Sequence, residues 1–173
     1  GGPLHGVPIG VKDILDTRQF ATAWGTSFYQ GHQPGRNASC VELFLQAGAI
    51  VVGKTVTTEF AYWQAGPTVN PYDHGRTPGG SSSGSAAAVA TGMVPFALGS
   101  QTAASTIRPA SYCGIIGFKP SFGLLPVDGV KKLAPSLDTI GLFVRSIDDL
   151  IVVVNALLAG TGGNQPSFKS KLK

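Results

Sequence analysis

Three stretches of this 173-residue chain hold side chains that together could activate a hydroxyl group for attack on a carbonyl carbon. Lys12 ends the apolar, β-branched run Val7-Pro8-Ile9-Gly10-Val11. A buried strand that delivers a lysine into such surroundings strips its ammonium of water and favours the neutral amine, which is a base. Bringing a lysine from about 10.4 into a useful range of about 7–8 takes roughly 3–4 kcal/mol of surroundings hostile to the charge, so the pocket must be dry. The second stretch, Pro78-Gly79-Gly80-Ser81-Ser82-Ser83-Gly84, runs into a small-residue helix. Hydroxyls and backbone amides crowd there at a helix N-terminus, where developing negative charge is favoured. The third, Gly99-Ser100-Gln101-Thr102-Ala103-Ala104-Ser105, is small enough for a loop to approach a substrate carbonyl, and its consecutive amides could form an oxyanion hole. His5, His32 and His74 lack metal-ligand spacing, and none follows the serine-rich stretches. Lysine is then the main alternative base for a serine.

Other motif matches lose on context. Gly48-Ala49-Ile50-Val51-Val52-Gly53-Lys54-Thr55 fits the phosphate-loop pattern, but a helix precedes Gly48 and the intervening residues are strand formers, which cannot curl around phosphate. Gly80-Ser81-Ser82-Ser83-Gly84 fits the nucleophile elbow of α/β-hydrolases, yet a loop precedes it and no histidine follows. An unrelated serine esterase would need that histidine. Asn37-Ala38-Ser39 matches a glycosylation sequon by pattern only, and its serine is better used as a helix cap.

The elements that must position these groups follow from periodicity and punctuation. Residues 39–47 are predicted helical, with Ser39 and Glu42 as a capping box and Gly48 as the stop. Residues 49–52 form an apolar strand, 70–84 a loop, 85–91 an Ala-rich helix closed by Gly92, and 96–98 a short strand. Ser146 is predicted to cap a helix with the apolar body 150–158, and 160–165 a linker. Helix and strand alternating this closely point to an α/β fold.

The length suits one domain with a single core. Charged residues make up 13% of the chain, about half the usual share, which predicts that much surface is covered by further polypeptide or by a partner. The absence of an initiator Met and the abrupt opening on Gly1-Gly2-Pro3 predict a piece of a longer protein. The net charge of +4 is modest and partly terminal, in Lys169, Lys171 and Lys173, so no nucleic-acid surface is expected. Cys40 and Cys113 have no motif spacing, which leaves a reduced, cytoplasmic setting as the expectation. No apolar run reaches the roughly 18 residues of a membrane span.

The chain resembles the amidase signature family, which includes stand-alone amidases and the A subunits of glutamyl-tRNA amidotransferase. The resemblance rests on Gly6-Val7-Pro8-Ile9-Gly10-Val11-Lys12-Asp13, on the segment 48–55, and on Arg76-Thr77-Pro78-Gly79-Gly80-Ser81-Ser82-Ser83-Gly84 with its Ala-rich continuation. Segment 105–120 and Ser136-Leu137-Asp138-Thr139-Ile140-Gly141 complete it. It implies an α/β fold, a mixed sheet covered by helices, incomplete here, with residues 1–159 as a partial catalytic core and 160–173 as linker or continuation. It also implies a Ser-Ser-Lys triad acting on a carboxylic amide through an acyl-enzyme. By motif, Lys12 is the base, Ser81 the relay after a cis peptide, and Ser105, 24 positions on, the nucleophile. The oxyanion amides fall on Thr102, Ala103, Ala104 and Ser105. No cofactor or metal is implied. The implied substrate is a small-molecule amide, with a homo-oligomer or amidotransferase subunits as partners.

Two departures from the family text matter. Ala103-Ala104 stands where Gly-Gly is common, which would narrow the oxyanion loop and give a catalytically weakened member. Gln101 stands where many members have Asp, and Ser105-Thr106-Ile107-Arg108 replaces Ser-Ile-Arg. These favour the stand-alone branch over a glutamine-hydrolysing amidotransferase subunit.

Overall fold

The computed structural model describes residues 1–160. Five strands form one mixed sheet: β1 (Pro8–Lys12), β2 (Ile50–Thr55), β3 (Phe96–Gln101), β4 (Ile116–Phe118) and β5 (Thr139–Val144), in the order β2-β1-β3-β5-β4. β1 runs parallel to β2 and β3, while β5 is antiparallel to β3 and β4. Among the described residues the α-helices are α1 (Ser39–Gln46), α2 (Ser83–Ala90), α3 (Ile107–Tyr112) and α4 (Ile147–Gly160). The α/β architecture, a mixed sheet covered by helices, matches the expectation.

Strand alternation divides the core into two layers. Phe96 and Leu98 of β3, with Ile140, Leu142 and Val144 of β5, pack with Phe44 of α1 and Val153 of α4. Ala97 and Phe143 point the other way, against Ala86 and Val89 of α2 and Ala110 of α3. β3 and β5 are buried along their whole lengths, and apart from Gln101 at the end of β3 their sequences are apolar or small. Burying each large side chain such as Phe44 or Phe96 contributes about 1.5–3 kcal/mol. Arg145 holds the far end of α2, its guanidinium donating to the Val89 and Val94 carbonyls at 2.9 and 3.1 Å.

Several boundaries differ from the sequence expectations. The capping box at the start of α1 does not form. Ser39 lies inside the helix behind Ala38, and the Glu42 carboxylate instead accepts from the Asn37 side chain at 2.7 Å. At α4 the expected cap is present: Ser146 Oγ accepts from the Asp149 amide at 3.0 Å. α2 begins at Ser83, two residues earlier than expected, because Gly84 packs on the chain leaving β2 and donates to the Val56 carbonyl at 2.9 Å. A Cβ at position 84 would collide with the Val56 backbone, so only glycine fits. β2 runs on through Gly53-Lys54-Thr55, leaving no phosphate loop. Lys54 is tied to Asp13 at 3.2 Å and to Thr22 Oγ1 at 2.6 Å. The predicted linker lies outside the described residues except for Gly160, which ends α4.

Candidate active site

In a sheet of this kind the C-terminal ends of the parallel strands are the usual place for a site. Lys12 ends β1 and Ser100-Gln101 ends β3, while the segment after β2 holds the start of α2. These loops therefore converge on one end of the sheet.

Lys12 is completely buried, and its Nζ lies 2.6 Å from Ser81 Oγ and 2.8 Å from Ser100 Oγ. Burial pushes the amine down from 10.5 to about 7, partly opposed by the nearby Asp138 carboxylate. Burial thus brings the neutral, basic form of the amine within reach at neutral pH. The peptide bond before Ser81 is cis, as the resemblance implied. Ser82, the centre of the elbow-like pattern, is fully buried and links its loop to β3, lying 3.3 Å from both the amide and the carbonyl of Ser100. Its own amide donates to the Ser105 carbonyl at 3.3 Å, which fastens the serine loop to the loop after β3.

Ser81 and Ser105 open onto the same cavity of about 350 Å³, together with Gly80, Thr102 and Ala103. Ala104 does not line it; its carbonyl instead accepts from the Arg108 amide at 2.9 Å. Among the described residues, the amides of Thr102, Ala103, Ala104 and Ser105 donate to no protein acceptor. A run of undonated amides beside a cavity is what an oxyanion needs. Ala103 and Ala104 are absent from the non-glycine residues with positive φ, which are Trp24, Phe60 and Ala61. Their methyl groups therefore cause no backbone strain, and the expected narrowing does not distort the turn.

Three positioning groups had no role assigned from the sequence. Ser100 supplies the second hydroxyl that holds Lys12. Gln101 Oε1 accepts from the Thr106 and Ile107 amides at 2.9 and 3.0 Å, capping α3 and bracing the turn behind Ser105. Asp138 accepts from Thr102 Oγ1 at 2.5 Å, from the Leu133 amide at 2.8 Å and from the Ala134 amide, so one carboxylate ties the loop after β3 to the segment before β5. Gly141 lets that loop settle, since a Cβ there would collide with Thr106 Oγ1. The Ser136–Gly141 text was the available signal for Asp138, because an acid beside an apolar strand is costly unless paired.

Cys40 and Cys113 are both buried, and burial pushes their thiols up to about 12 and about 11. Neither is a nucleophile at neutral pH. No group of three or more His, Cys, Asp or Glu among the described residues could hold a metal. Among those residues, no helix is long and apolar enough to cross a membrane.

The family model described as Amidase matches residues 1–169. The chain belongs to the amidase signature family. It is 41% identical to the A subunit of the glutamyl-tRNA(Gln) amidotransferase of Methanosarcina mazei, with 98% of this chain and 37% of that protein covered. The crystal structure of the corresponding subunit from Thermotoga maritima superposes with a TM-score of 0.86 at 38% identity, covering 90% of this chain and 36% of that one. The native peptide amidase from Stenotrophomonas maltophilia gives 0.84 at 36% identity, covering 95% and 35%. The chain thus spans about 37% of the length of the curated relatives it matches. Peptide amidases and amidotransferase subunits alike share the amidase signature fold found here.

Proposed function

We propose that this chain carries the catalytic core of an amide hydrolase in which Ser105 is the nucleophile, Ser81 the proton relay and Lys12 the base. The observation that carries the reading is the buried Lys12 amine, 2.6 Å from Ser81 Oγ and brought down to about 7. Its neutral form can accept the Ser81 proton while an N–H continues to hold Ser100. Ser81 in turn takes the proton of Ser105, whose Oγ attacks the amide carbon. The free amides of residues 102–105 receive the negative charge that develops on the carbonyl oxygen. As the C–N bond breaks, Ser81 returns a proton to the leaving nitrogen and an ester forms on Ser105. Water, activated by the same relay, releases the carboxylic acid and restores the serine.

A small-molecule primary amide fits a cavity of about 350 Å³. Replacing Ser105 by Ala should abolish ammonia release from such an amide, while Cys40→Ala should leave it in place. If the Ser105→Ala protein kept most of the rate, Ser105 would not be the nucleophile.

A second reading rests on the relatives. The matched A subunits are named for a glutamyl-tRNA(Gln) amidotransferase, so the protein would hydrolyse glutamine and pass ammonia to partner subunits. Copurification with such subunits and preference for glutamine over other amides distinguish it from a stand-alone amidase.

A further inference from the structure

Beside the catalytic cavity lies a far smaller chamber of about 10 Å³, the room that a single water molecule needs. The two share Ala61, Ser81, Thr102 and Leu133 as walls, so they meet at Ser81. Ser100 and Asp138 give the chamber polar walls, and Val127 and Val130 give it apolar ones. Hydrogen bonding around Lys12 leaves one donor over at this place. Lys12 Nζ lies 2.6 Å from Ser81 Oγ and 2.8 Å from Ser100 Oγ. Among the described residues, neither hydroxyl has a hydrogen-bond acceptor for its own O–H other than this amine. A neutral amine has one lone pair and takes one of the two hydrogens. In the proposed relay that hydrogen comes from Ser81. Ser100 is then a buried hydroxyl, 9% exposed, whose hydrogen has no protein acceptor. Leaving such a donor unmatched costs about 1–3 kcal/mol, and a water beside it removes the cost.

We propose that this chamber binds one water molecule and that this water deacylates Ser105, a step that rests on the role of Ser105 proposed above. An acyl group on Ser105 occupies the larger cavity, and solvent entering through the mouth has to pass it. A water in the chamber already stands at Ser81, the group that takes its proton. Its oxygen bonds to the ester carbon while its proton passes to Ser81 Oγ and the Ser81 proton passes to Lys12. The bond between the acyl carbon and Ser105 Oγ then breaks. Ser105 takes a proton from Ser81, Lys12 resupplies Ser81, and the carboxylic acid leaves. Atoms and protons balance with water as the sole added reactant. Hydroxylamine, with two heavy atoms, is too long for the chamber and reaches the ester only through the larger cavity.

The test uses the full-length protein and p-nitrophenyl acetate, whose burst of nitrophenolate reports acylation and whose steady phase reports deacylation. Val130→Ile pushes an extra methylene into the chamber. Val127→Ile does the same from a second position and serves where the first variant fails to fold. The burst should persist, and the steady rate should fall on the order of tenfold, because the water is displaced from its position. With hydroxylamine present, the ratio of hydroxamate to acetate should rise by a similar factor, since only the water route is narrowed. An unchanged steady rate in the filled variants would overturn the proposal. Equal slowing of hydrolysis and of the hydroxylamine reaction would overturn it too, because that pattern marks damage to the relay. An unsubstituted protein that gives no burst and no acetyl group on Ser105 would overturn the role of Ser105 itself, and the deacylation step with it.

Discussion

Lys12→Met separates the cost of burying this amine from its chemical use. Methionine matches the length of the lysine stem, remains apolar and carries no titrating group. A lysine held at about 7 in the folded chain and at 10.5 when unfolded binds fewer protons folded than unfolded between those values. Stability then rises with pH across that window, because unfolding must take up a proton. Below about pH 7 both states are charged, and the folded one bears the full penalty of about 5 kcal/mol. Above about 10.5 both are neutral and the penalty is gone. The stability difference between the natural chain and Lys12→Met should therefore shift in favour of lysine by about 2 kcal/mol between pH 7 and pH 9. Loss of the contacts with Ser81 and Ser100 costs the methionine variant about 1 kcal/mol each at every pH, which offsets the curve but not its slope. Urea unfolding of the two proteins at several pH values measures it, and all other titrating groups cancel in the difference. A difference that stays flat from pH 7 to 9 would show that Lys12 titrates as a solvated lysine, and the proposed base would be lost.

Two further outcomes follow from the groups around the lysine. Asp138→Asn removes the negative charge that holds Lys12 up, so the amine falls further and the acid limb of kcat/KM should move to lower pH; a limb that stays in place or moves up would contradict this. Gln101→Ala strands the Thr106 and Ile107 amides, each unpaired group costing about 1–3 kcal/mol. The thermal midpoint should fall by several degrees and kcat should drop more than KM rises, whereas an unchanged midpoint would deny Gln101 its bracing role.

How far the site could be read beforehand depended on the range of the interactions involved. Lys12 was legible because an apolar strand leads into it, and burial of the strand carries the lysine inside. The Pro78–Gly84 loop and the small residues before Ser105 announce themselves by composition. Ser100 was in view but carried no role, because its partner stands 88 residues away and no spacing connects them. Asp138 acts across 36 residues through Thr102 in the same way. Of the fold, β1 and α4 with its Ser146 cap followed from local pattern. β5 escaped assignment because a strand buried on both faces has no alternation to betray it. α3 was hidden by Pro109, which in a first turn loses no helical hydrogen bond and so does not break the helix. At α1 a local signature misled: Ser39 and Glu42 have the right spacing, but the Asn37 side chain, itself held by the Arg18 amide, claimed the carboxylate.

The most direct test of the proposed triad is labelling with a fluorophosphonate, which reports an activated serine without knowledge of the substrate. The modified residue is located by mass spectrometry and the rate followed from pH 5 to 9. The label should fall on Ser105, faster as pH rises through about 7, and should be lost in both Lys12→Met and Ser81→Ala. A label on another serine, or one on Ser105 that forms equally well without Lys12, would contradict the lysine-driven relay.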